Sequence, residues 1–285
     1  MIDILRHDFV QNAFLAGVIV AVISGLVGYF IVLRGQAFTC EALSHVGFTG
    51  ALGAALIGAS SLEGVFLFTL LAAIGIGALG KRLSGRDIEV GMVLSFLLGI
   101  GVLFLSLYTK NATEAVGVLF GSILSVTISD VIVTLISGLV TITLMIVLFR
   151  PLLFASIEPE VAEARGVPVQ RLSILFLILL ALSVAVAVKV VGVLLVFALL
   201  VVPAAAAEHL THRPWLAITI SILISLISTV AGLVFAFIGH WPVSFYIVSL
   251  TSLFYFIALI VHAVRSPRRY RELPHPSREV LPPSI

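Results

Sequence analysis

At 285 residues the chain is long enough for one large domain, yet 61% of it is hydrophobic and only 11% carries charge. Soluble domains carry about 25% charged residues, so an ordinary soluble enzyme is excluded. The net charge is only +2, and a single cysteine excludes both an internal disulfide and a cysteine-cluster metal site.

Apolar runs of about 20 residues recur along the whole chain, which is the signature of transmembrane helices. The first, residues 9–33, is too long for the apolar core of a secretory leader and no small-residue cleavage pattern follows it. It reads as span 1, with Ser24 and Gly28 on a small-residue face and Arg34-Gly35-Gln36 at its end. Span 2 begins at Thr39 or Leu43 and runs to Ile57. Span 3 covers 65–79 and is closed by Lys81, Arg82 and Arg86; span 4 covers 90–108. A more polar connection, 109–130, contains a candidate short helix at 116–121. Span 5 covers 131–149, and 150–171 is the most hydrophilic internal loop. The apolar tract 172–207 holds one charge, Lys189, and at about 36 residues is long enough for two spans. It reads as a helical hairpin turning near Lys189, with Pro203 kinking or ending the second arm. Spans 8 and 9 cover 215–238 and 245–264, and a basic, proline-rich tail fills 265–285.

The expected fold is therefore an all-α polytopic membrane protein of about nine transmembrane helices, or eight if segment 2 is re-entrant. Lysine and arginine set its orientation. With nine spans, thirteen basic residues fall on one side, Arg34, Arg150, Arg165, Arg171, Arg213 and Arg265 among them, against Arg6, Lys110 and Lys189 on the other. This predicts an external N-terminus and a cytosolic C-terminus.

Among the apolar segments, Thr39 to Gly47 stands out. Glu41 and His45 are four residues apart and stack on one helix face. A carboxylate above an imidazole suits a borderline divalent metal. Two ligands make a weak site, fit for transit rather than storage. The plainer alternative is a helix start near the membrane surface, where a glutamate favours the dipole and the imidazole is solvated. Cys40 points about 100° away from Glu41 on a helix and reads as a small hydrophobe.

The loop Glu158-Pro159-Glu160-Val161-Ala162-Glu163-Ala164-Arg165-Gly166 reads as a short helix, with Pro159 in its first turn and Gly166 just past its end. It is either a plain surface helix or a rigid knob that docks into a cytosolic partner through Ala162, Ala164 and Arg165. Gly75 to Lys81 has the G-x-x-x-x-G-K spacing of a nucleotide loop. Arg82 stands where a magnesium-binding Ser or Thr belongs, so the stretch reads as glycine packing followed by cytosolic basic residues. His209, His212, His240 and His262 lie near span ends and read as interfacial. No H-E-x-x-H and no nucleophile paired with a base supports an enzyme.

Taken together these residues resemble a known family, the permease subunits of bacterial ABC importers for manganese, zinc and iron, the metal-uptake group of the type II importer class. The pieces are Phe9-Val10-Gln11-Asn12-Ala13, Val32-Leu33-Arg34-Gly35, Glu41-Ala42-Leu43-Ser44-His45, Asp87-Ile88-Glu89-Val90-Gly91, Leu119-Phe120-Gly121-Ser122-Ile123-Leu124, the Glu158 to Gly166 loop, Val191-Gly192-Val193-Leu194-Leu195 and Val202-Pro203-Ala204-Ala205-Ala206-Ala207. Their order covers residues 9–264. The resemblance implies a type II importer-like permease domain over 1–264 in the bacterial plasma (inner) membrane. It also implies a coupling loop at 150–171 that contacts the ATPase and a cytosolic tail at 265–285. The implied partners are a second permease copy or a homologous permease, cytosolic ATP-binding subunits that hydrolyse ATP, an extracytoplasmic metal-binding protein and membrane lipid. No permanently bound cofactor and no nucleic acid is expected. Glu41 and His45 match positions implicated in metal passage, with Glu41 where the family commonly has aspartate. Two other readings compete: a type II importer of a metal chelate such as siderophore, haem or cobalamin, and an ion-coupled secondary carrier.

Overall fold

The computed structural model describes residues 8–79, 87–107, 121, 123, 126–239 and 241–265. Its elements are α1 (Asp8–Leu33), α2 (Ala37–Leu56), α3 (Ser61–Leu79), α4 (Asp87–Leu107), α5 (Ile128–Ile157), α6 (Pro159–Ala164), α7 (Val169–Val191), α8 (Val193–Leu200), α9 (Val202–Leu210), α10 (Pro214–Ile238) and α11 (Val243–Arg265). Among the described residues, eight segments are long and apolar enough to cross a membrane, with α8 and α9 counted together. At 20 residues, about 30 Å, α2 is also long enough to cross. Its Glu41, Ser44 and His45 make it the least apolar of the long helices, and it is the segment on which the count of eight or nine turns. The candidate helix at 116–121 lies almost wholly outside the described residues.

The most apolar window of α7 is 72% buried and that of α1 67%, against 17% for α11 and 11% for α4. The bundle is thus organised around α1 and α7, with α4 and α11 at its periphery. α10 and α5 pack on α1, and α3 packs on α7. Small residues allow the closest approaches. A Cβ on Gly50 of α2 would run into the Gly64 carbonyl of α3, and one on Gly64 into the Gly50 carbonyl. Without a hydrophobic force between helices in lipid, such backbone contact is a main source of attraction.

The tract 172–207 is a hairpin, as its length requires. α7 starts beside Ala155 and Ala162, near the end of the bundle where Arg34 Nη1 donates to Ser156 Oγ at 3.0 Å. α9 finishes at that same end, beside Tyr29 and Leu33. The reversal falls at Gly192, three residues beyond Lys189. Its φ of 87° and ψ of 157° lie in a region open to glycine alone. Lys189 itself is ion-paired with Asp130 at 3.7 Å. Pro203 sits in the first turn of α9, after the helix breaks at Val201.

Span 5 is longer than its hydropathy suggests. It starts at a capping box, in which Thr127 Oγ1 accepts from the Asp130 N–H and the Asp130 carboxylate accepts from the Thr127 N–H. It then runs through Arg150 and Pro151 to Ile157. The last turns persist because Leu152 and Ala155 are buried, Ala155 against Ala162, Val169 and Leu172. That packing outweighs the hydrogen bond that Pro151 removes.

Candidate metal-transit site

α2 is locked into the bundle on one side and open on the other. Cys40, Leu43, Val46, Gly47 and Gly50 are buried, packed towards α3, α4, α7 and α8. Ser44 Oγ turns inward and donates to the Cys40 carbonyl at 2.9 Å. The opposite face carries Phe38, Glu41, His45 and Phe48, spaced three and four apart so that they form one stripe. Phe38 and Glu41 are exposed, and His45 and Phe48 are half-buried. Sequence reasoning found the carboxylate and imidazole but missed the two aromatic rings that frame them; the 3,4 spacing was the available signal. Cys40 is a free thiol, fully buried on the other face.

By helix rise, Glu41 is about 6 Å and His45 about 12 Å along the axis from Ala37. The corner before them is anchored by Arg34, whose guanidinium lies 5.2 Å over the Phe176 ring of α7. Both side chains therefore sit within the length of the span, in its half nearer the Arg34 end. No hydrogen bond or ion pair recorded among the described residues involves either of them. Nor do any three His, Cys, Asp or Glu side chains among those residues gather closely enough to hold a metal. One chain thus presents a single carboxylate and a single imidazole on the open face of α2.

The loop at 158–166 folds as a knob. α6 begins with Pro159 at its first position, and Gly166 closes it with a φ of +80°. Ala162 is fully buried against Ala155, Val169 and Leu172. It is an anchor rather than an exposed docking contact. The surface is formed by Glu158, Glu160, Glu163, Ala164, Arg165 and Gly166. It also includes Ile157 and Val161, 59% and 41% exposed, which the sequence reading passed over. Arg165 rests 5.8 Å from the Phe154 ring. The nucleotide-loop spacing at 75–81 begins inside α3, where Gly75 to Leu79 are helical, so no phosphate-cradling loop forms over those residues; 80–82 lie outside the described residues.

The model of the ABC 3 transport family matches residues 6–262. The chain belongs to that family. It is 31% identical over 258 residues to the manganese transport system membrane protein MntC of Listeria monocytogenes, an alignment spanning 90% of this chain and 92% of that one. It is 33% identical over 239 residues to MntD, a manganese transport system membrane protein of Bacillus subtilis, covering 77% and 81%. Among solved structures it resembles PsaBC from Streptococcus pneumoniae in complex with Fab, with a TM-score of 0.80 and 30% identity over 90% of this chain and 94% of that chain. The all-α architecture is that of type II ABC importer permeases, and the protein is a multi-pass bacterial membrane permease subunit.

Proposed function

We propose that the chain forms the translocation path of an ATP-driven importer of a divalent transition metal, with manganese the first candidate and zinc and iron behind it. The observation that carries this reading is the Glu41/His45 stripe: ionisable ligands on the outer face of a helix whose other face is locked into the bundle. A carboxylate facing hydrocarbon is costly, so the stripe needs a covering surface. A second permease, identical or homologous, would bring a second pair opposite the first and complete a weak four-ligand waypoint. The names of the relatives favour free manganese as cargo.

In this reading Glu158, Pro159, Glu160, Ala164, Arg165 and Gly166 present a coupling helix to a cytosolic ATP-binding subunit, with Ala162 holding it down. ATP binding and hydrolysis in that partner would move the two coupling helices and open the path alternately to each side. An extracytoplasmic binding protein would deliver the ion. The orientation, N-terminus outside and basic end in the cytosol, follows from the distribution of lysine and arginine.

The test is reconstitution of the full transporter in liposomes with free manganese, free zinc or a ferric chelate as substrate. ATP-dependent accumulation of the free ions supports the reading. Accumulation of the chelate alone would replace it with the chelate importer, and accumulation driven by an ion gradient without ATP would replace it with a secondary carrier.

A further inference from the structure

The Glu-x-x-x-His spacing occurs twice in the chain, at Glu41/His45 and again at Glu208/His212. The second occurrence is not a helical stack. α9 ends at Leu210, and Thr211 is extended with φ −155° and ψ 144°, so His212 has left the helix when it follows Glu208. Both residues nonetheless line one cleft of about 410 Å³, together with Tyr29, His209 and His262. The cleft lies between the C-terminal turns of α1, the exit of α9 and the last turns of α11. Among the described residues, Glu208 is the only acid in its lining.

The histidines are arranged by backbone chemistry. His262 Nδ1 lies 3.1 Å from the His209 carbonyl oxygen. A carbonyl has no proton to give, so Nδ1 must be the donor. In the neutral ring Nε2 is then left with its lone pair. A ring nitrogen held by a backbone carbonyl while the other stays free is the usual state of a metal-ligating histidine. The His209 ring packs 5.4 Å from that of His262 and edge-on to Tyr255 at 5.6 Å, which holds the pair in place.

We propose that this cleft is a second divalent-metal site, with the Glu208 carboxylate and His262 Nε2 as donors and the exposed His212 as a third that swings in. No three such side chains are gathered at ligand distance among the described residues, so water fills the remaining positions. That makes a weak site, suited to a borderline ion in passage. The cleft is at the Arg34 end of the bundle, which the orientation proposed above makes the cytosolic mouth, where an ion would pause on release. Only that role rests on the proposed function; the binding itself does not.

Cobalt(II) is the probe, because its visible absorption reports nitrogen and oxygen ligation directly. The full-length chain is purified without a histidine tag in detergent, as wild type and as Glu41→Ala/His45→Ala. The cleft predicts that the double variant still develops a cobalt band. Adding Glu208→Gln or His262→Ala should weaken its apparent affinity at least tenfold, and Glu208→Asp should recover part of it. Monodisperse elution of each variant separates lost binding from lost fold. The inference is overturned if the double variant binds no cobalt, or if its binding persists unchanged once Glu208→Gln and His262→Ala are both added to it. A band sensitive to Glu208 but indifferent to Glu41 and His45 would support the cleft while counting against the α2 site.

Discussion

Substituting Gly50 tests how α2 is held. A Cβ at Gly50 would lie 2.8 Å from Phe68 Cβ and 2.8 Å from the Gly64 carbonyl carbon, and closer still to that carbonyl's oxygen. Carbon atoms pack at about 3.5–4.0 Å, so α2 and α3 must part by roughly 1 Å to admit a single methyl group. Overpacking of this kind costs about 1–3 kcal/mol. At about 2–4 °C per kcal/mol for a chain of this order of size, Gly50→Ala should lower the midpoint of thermal unfolding in detergent by roughly 2–12 °C. Gly64→Ala offends the same close approach from the other helix, so the two losses should not add. Gly99 is the control, because it is an exposed helical glycine with nothing within 4 Å of its would-be Cβ. Gly99→Ala should be neutral or stabilising by up to about 1 kcal/mol. Tryptophan fluorescence or size-exclusion after heating reads both. A Gly50→Ala protein that unfolds at the wild-type temperature, or a Gly99→Ala protein that loses as much, would refute the close-approach argument.

Three further outcomes follow from particular contacts. Gly192→Ala forces a side chain onto a φ of 87° and ψ of 157° and should cost about 1–3 kcal/mol; a wild-type unfolding midpoint would mean that the hairpin turns elsewhere. Thr127→Ala removes the capping hydroxyl of α5 and should cost about 1 kcal/mol. Lys189→Met should cost less, because its pair with Asp130 is long and the lysine is 36% exposed; the reverse order in chemical unfolding would overturn that ranking. Ala162→Glu puts a carboxylate into a fully buried contact and should prise α6 from α5 and α7. Metal-stimulated ATPase activity of the assembled transporter should then fall while the bundle still purifies; unchanged stimulation would show that coupling runs through another surface.

Hydropathy made the long apolar helices legible because a bilayer demands about 20 apolar residues from each. It also made the hairpin at 172–207 legible, since that tract is too long for one crossing. It placed the reversal at Lys189 because charge is visible in a sequence and backbone strain is not; the glycine three residues on makes the turn. The end of α5 was hidden for the opposite reason. Arg150 and Pro151 look like a stop, and only the burial of Leu152 in the main core and of Ala155 against α6 and α7 keeps the helix going. At the candidate site, the four-residue spacing disclosed Glu41 and His45 but not which way they face. That depends on which side of α2 the glycines dock, a matter of tertiary packing. Ala162 was misjudged on the same ground: a small residue suits an exposed knob and a buried anchor equally. Glu208 escaped notice because it lies near the end of an alanine-rich stretch, and the cleft it lines is assembled from residues as far apart as Tyr29 and His262.

The most direct measurement is uptake of radiolabelled manganese by liposomes carrying the complete transporter, with wild-type chain, Glu41→Gln or His45→Ala. Neither side chain contributes to the packed face of α2, so each variant should assemble with its partners and elute as wild type does. If the stripe carries the ion, the initial rate of ATP-dependent uptake should fall at least tenfold in each, with manganese-independent ATP hydrolysis retained. Wild-type uptake by the assembled His45→Ala transporter would contradict the assignment of α2 as the metal path.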